Sequence, residues 1–78
     1  MLTPARGREL RKLSVKLERQ LSKLDAEIIG IQDQMLQFTN DFERVAQLDQ
    51  DLRELNEKKE KIEVQWLETA NELSGGRS

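Results

Sequence analysis

At 78 residues, with 36% of them apolar and 36% charged, the chain cannot enclose a sizeable core, and one small domain is its ceiling. It holds no cysteine and no histidine, which excludes a disulfide framework, a thiolate or imidazole metal site and the common nucleophile–base pairs. The net charge of −2 conceals a polarity: residues 1–23 carry seven cations against Glu9 and Glu18, a net of +5, and the rest carries six cations against thirteen carboxylates, a net of −7.

Residues 1–9 contain the only proline, Pro4, and precede any regular pattern, so they read as a linker. A coiled-coil helix is expected over 10–38. There Leu10, Leu17, Leu24, Ile31 and Phe38 alternate with Leu21, Ile28 and Met35 at the 3-4 spacing of one apolar seam. Gly30 falls on the outward side of that helix, where glycine costs about 1 kcal/mol relative to alanine. A turn is expected over 39–42, with Asn40 or Asp41 as N-cap of the next helix and Asn40 to Glu43 in the spacing of a capping box. The second helix, 43–73, carries Val45, Leu48, Leu52, Leu55, Ile62, Trp66 and Leu73 on its own seam. Residues 74–78 have the glycine typical of a helix end and no periodicity, and read as a flexible tail.

Two narrow apolar stripes joined by a short turn bury each other by folding back, so the fold class is all-α, a two-helix antiparallel coiled-coil hairpin. Positions whose numbers sum to about 80 then face each other across the seam. That pairs Met35 with Val45, Ile28 with Leu52 and Leu17 with Ile62, and sets Trp66 against Leu13 and Ser14. Lys59 occupies a seam position opposite Leu21. Its stem is expected to lie on the seam with the ammonium reaching out, or to act as a polar device fixing register. Both phenylalanines and Trp66 are read as seam residues.

Charge position says more than charge sum. Arg8, Lys12, Lys16, Arg19 and Lys23 are spaced 4, 4, 3 and 4, which lines them up on the side of the first helix opposite its seam, with Arg11 beside them. At about 1.5 Å per residue the line is roughly 22 Å long, a scale and charge density suited to a nucleic-acid backbone. No aromatic residue interrupts it, so recognition would be electrostatic and shape-directed without base stacking. The plainer reading is a solvated charged face, with Lys23 pairing locally to Glu27. Val15, Ile29 and Leu36 sit at heptad spacing on a flank away from the seam and suggest a secondary contact.

Chemistry-bearing motifs are missing. There is no G-x-x-x-x-G-K-[ST] phosphate loop, and carboxylates such as Asp49, Asp51, Glu54 and Glu57 lie at solvated helical spacings with no apolar pocket around them. The segment is therefore expected to be non-catalytic, with no cofactor and no metal of its own. No apolar run approaches the roughly 18 residues that a membrane span needs, and the N-terminus lacks a secretory h-region, so a soluble, cytoplasmic protein with no membrane partner is expected.

The residues also resemble a known family. Lys12-Leu13-Ser14, followed by Lys16, Arg19, Leu21, Leu24, Ala26 and Ile28, is similar to the opening helix of the C-terminal coiled-coil domain of ABC-F ATPases, the Uup-like group, which commonly begins K-L-S-Y-K-E-Q-R-E-L. Asp41-Phe42-Glu43-Arg44-Val45-Ala46-Gln47-Leu48 resembles the turn and x-E-x-[VL]-x-x-L entry of that domain. Gln65-Trp66-Leu67-Glu68 resembles its near-terminal R-W-x-x-L-E, particularly in actinobacterial relatives. The resemblance covers about residues 10–73. Val15 stands where the family often has tyrosine, Leu17-Glu18 replaces its usual E-Q, and Glu63 stands where an aromatic is frequent.

This resemblance implies a parent protein with two ATP-binding cassettes and no membrane domain, ATP and magnesium belonging to the cassettes, and this chain as its last domain. It implies a nucleic-acid-contacting arm, on DNA or ribosomal RNA, with the parent's ATPase cassettes as its other partner. By position the contacting residues are Arg8, Arg11, Lys12, Lys16, Arg19 and Lys23, acting on phosphates with little sequence readout. In isolation the hairpin is expected to be monomeric. The alternative is a structural coiled coil that self-associates through Val15, Ile29 and Leu36, with the basic segment of one copy meeting the acidic second helix of another and no nucleic-acid role.

Overall fold

A computed structural model describes residues 3–75. It consists of two long helices, α1 (Pro4–Gln37) and α2 (Phe42–Leu73), packed along their lengths as an antiparallel hairpin. The molecule is a rod of 57 × 19 × 13 Å. Neither helix is long and apolar enough to cross a membrane.

Helix α1 starts earlier than its apolar pattern indicates. Thr3 is its N-cap, its hydroxyl accepting from the Arg6 N–H at 3.1 Å, and Pro4 occupies the first turn, where a missing N–H costs nothing. Residues 4–9, expected as linker, are thus helical, and Gly7 is buried at the end of the seam. Threonine followed by proline is itself a helix-start signal, which the absence of apolar residues there obscures. Met1 and Leu2 of the expected linker lie outside the described residues.

The turn is closed by backbone bonds from the Phe38 N–H to Gln34 O and from the Asp41 N–H to Phe38 O, each 3.0 Å. Asp41 rather than Asn40 caps α2, accepting from the Arg44 N–H at 3.1 Å. Arg44 also lies over the Phe38 ring, 4.3 Å from its centroid, a cation–π contact that ties the first turn of α2 to the end of α1. At the far end Gly75 takes φ +88, the left-handed conformation that stops a helix, and its N–H bonds to Glu72 O at 3.1 Å. Residues 76–78 of the expected tail lie outside the described residues.

The core is the expected seam. Leu10, Leu17, Leu24, Ile28 and Leu48 are buried, and Leu21, Ile31, Met35, Phe38, Val45, Leu52, Leu55, Ile62, Trp66 and Leu73 are half-buried. Its open end uses small side chains: Gly7, Ser14 and Thr69 hold seam positions, and the buried Thr69 hydroxyl is satisfied by donating to Gln65 O at 2.8 Å. Phe42, by contrast, is 84% exposed and is not a seam residue.

The register differs from the expected one by about one helical turn. Lys59 bonds to Asp25, the Trp66 indole N–H donates to Glu18, and Ile62 shares a groove with Leu24. Helical side chains lean toward their own N-terminus. In α2 that direction points to the turn, and in α1 it points away from it, so Lys59, Ile62 and Trp66 meet α1 residues of higher number than mirror counting gives.

Candidate nucleic-acid interface

The six candidate residues, Arg8, Arg11, Lys12, Lys16, Arg19 and Lys23, are all exposed on α1. None of them forms an ion pair among the described residues, whereas Arg6, Arg53 and Lys59 do. Lys23 in particular is not paired with Glu27.

The reason lies in what surrounds them. The two carboxylates of the basic segment are engaged elsewhere: Glu9 faces Arg6 at 3.6 Å, and Glu18 accepts from the Trp66 indole at 3.3 Å on the seam side of α1. Arg6 itself spans to α2, meeting Glu72 at 3.2 Å. Along the stripe each cation instead finds cations one turn away: Arg8 with Lys12, Lys12 with Lys16, Lys16 with Arg19, Arg19 with Lys23. Like charges at such spacings destabilise a helix by about 0.2–0.5 kcal/mol per pair. The first turn of α1, residues 4–7, has no acidic residue, and the stripe begins just beyond it at Arg8. The arrangement of like charges therefore opposes helix stability.

Arg11, Lys12, Lys16 and Arg19 surround Val15, which is 46% exposed, so the middle of the stripe has an apolar floor with charged rims. That geometry lets ammonium and guanidinium groups approach a polyanion while their stems rest on an apolar patch.

The sequence pattern leaves one part of this surface unseen. Lys58 and Lys61 of α2 line the same shallow groove as Lys23, across a floor made by Leu24 and Ile62, with Glu27 on the rim. Both lysines are exposed, and neither is ion-paired among the described residues. The run Lys58-Lys59-Glu60-Lys61 carries the signal, but which α1 residues it lies beside follows only from the register.

The remaining polar contacts are local. Arg53 pairs with Asp49 at 3.2 Å on α2, and Gln37, Gln47 and Gln50 bond to Asp33, Asp51 and Glu54 one turn away. Val15, Ile29 and Leu36 are exposed on α1, as expected for a flank outside the seam, with Ile29 at 65% and Leu36 at 76%.

No protein family, no curated protein and no solved structure matches the chain.

Proposed function

We propose that this hairpin is a non-catalytic, phosphate-directed nucleic-acid-binding arm, and that it belongs to a cytoplasmic ATPase of the ABC-F type, contacting DNA or ribosomal RNA. The observation that carries the nucleic-acid reading is the set of six cations on one face of α1 that have no ion-pair partner among the described residues and are held where neighbour repulsion works against them. Features that oppose local stability are characteristic of functional surfaces. A polyanion removes the repulsion when it binds, by supplying the counter-charge that the hairpin withholds.

A stripe of roughly 22 Å is long enough to follow several successive phosphates of one strand. Contacts of this kind position a nucleic acid without reading its sequence. The parent assignment rests on the motifs from Lys12-Leu13-Ser14 to Gln65-Trp66-Leu67-Glu68. ATP and magnesium then belong to the cassettes of the parent chain, which are this arm's other partner, and the arm acts as a monomer.

The exposed Ile29 and Leu36 favour a second reading, a self-associating structural coiled coil. Mass in solution separates the two: a monomer at high micromolar concentration supports the arm, and a dimer that tightens at low salt supports the coiled coil.

The direct test is fluorescence anisotropy of labelled duplex DNA, single-stranded DNA and hairpin RNA at several salt concentrations. Binding is expected to be weak, with about four phosphate contacts giving a log–log salt slope near −4 on duplex. Lys16→Glu with Arg19→Glu is expected to flatten that slope. An absence of binding to all three probes at low salt retires the reading.

A further inference from the structure

We infer that the phosphate-binding surface is composite, with Lys58 and Lys61 of α2 taking over the cationic track where α1 runs out of positive charge. The inference rests on the nucleic-acid reading above and concerns which residues follow the backbone, and along what path.

Three observations carry it. First, α1 has no Lys or Arg after Lys23, so from Leu24 to Gln37 its only charges are Asp25, Glu27 and Asp33. A strand tracking the stripe along α1 would run into acid. Second, Lys61 and Lys58 border the same groove as Lys23, and because α2 runs antiparallel, Lys58 lies one turn further toward the hairpin tip than Lys61. The track therefore keeps its direction of advance as it changes helix. Third, neither lysine is in an ion pair among the described residues, although Glu54 and Glu57 stand one turn away from Lys58 and Lys61 respectively.

The distances suit a flexible polyanion. Packed helices lie about 8–10 Å apart, so ammonium groups on long stems from facing edges can contact neighbouring phosphates across the groove. Its floor of Leu24 and Ile62 lies between the two sets of lysine stems. The bound backbone would cross the rod diagonally, from the outer face of α1 at Arg8 to α2 at Lys58. Glu27, on the rim of that crossing, is placed to repel it, and Asp51 and Glu54 line the adjoining groove beside Lys58.

The test is the salt dependence of binding to a labelled duplex DNA of about two helical turns, measured for the whole hairpin and its variants with helicity checked by circular dichroism. Lys58→Gln with Lys61→Gln is expected to weaken binding several-fold and to reduce the steepness of the log–log slope by about 1.8, the loss of two phosphate contacts. Glu27→Gln is expected to tighten binding. Arg53→Gln, which removes an α2 cation already paired with Asp49, is expected to leave affinity and slope unchanged. If Lys16→Glu with Arg19→Glu abolishes binding while the Lys58/Lys61 double variant matches the wild type, the surface is confined to α1 and the inference is overturned with the nucleic-acid reading intact. If the wild-type hairpin binds no duplex at low salt, the premise fails and the inference with it.

Discussion

The Lys59 ammonium donates to the Asp25 carboxylate at 2.7 Å, joining the seam of α2 to the flank of α1. A lysine on an apolar seam sacrifices packing, and its value lies in specifying one alignment of two otherwise repetitive stripes. The hydrogen bond and charge of Asp25 raise the Lys59 pKa above the ordinary 10.5, with Glu63 adding to the shift and desolvation opposing it. A raised folded-state value means that the pair's contribution is complete below 10.5 and is lost as pH climbs through the folded-state pKa. Wild type is therefore expected to exceed Asp25→Asn in urea midpoint at neutral pH, with the gap closing on the alkaline side. A gap that is independent of pH would show that charge contributes nothing to it.

Leu10 is 1% exposed, the most buried side chain of the core, although it stands only a few residues from the N-terminal cap. Leu10→Ala is expected to cost about 2–5 kcal/mol, through lost transfer energy and the cavity left behind. Leu36, 76% exposed on the same helix, serves as the contrast. Leu36→Ala is expected to stay within about 0.5 kcal/mol of wild type. Urea denaturation followed by circular dichroism measures both, and equal effects would contradict the described burial.

Gly30 lies inside α1 on its exposed side, and an added Cβ would meet nothing within 4 Å. Gly30→Ala removes backbone freedom from the unfolded chain without any clash in the folded one. A stabilisation of about 1 kcal/mol is expected in the thermal or urea transition. Nucleic-acid affinity should not change, since Gly30 is outside the cationic track.

Asp41 closes the turn by accepting the Arg44 N–H, with Glu43 supplying further negative charge in the first turn of α2. Asp41→Ala is expected to cost about 1 kcal/mol. Asp41→Asn keeps the side-chain acceptor and should recover most of that loss. A null effect of the alanine variant on the thermal midpoint would mean that water replaces the cap at no cost.

The hairpin itself was legible because its signal is local and repeated. Leucines and isoleucines at 3-4 spacing fix which side of each helix is apolar, and the single interruption near Asn40 fixes where the chain reverses. The start of α1 was less legible. Gly7 and Ser14 occupy seam positions without apolar side chains, so hydrophobic periodicity fades there although the helix continues, and only the Thr3-Pro4 pair marks the true beginning. Phe42 misleads in the opposite sense, being aromatic next to a seam yet 84% exposed at the tip. Of the candidate site, the α1 stripe could be read by counting residues around one helix, and Lys58 and Lys61 could not.

By itself, the sequence determined two amphipathic helices, their reversal and a cationic face on the first, because helical periodicity ties every side chain to an angle about its own helix axis. Only the tertiary structure decided that Asp25 meets Lys59, that Glu18 is drawn to Trp66 and away from the stripe, and that Lys58 and Lys61 stand beside Lys23. A heptad pattern is nearly unchanged when one helix slides past the other. The relative shift is settled by the lean of side chains toward each helix N-terminus and by a few non-repeating contacts between the two helices.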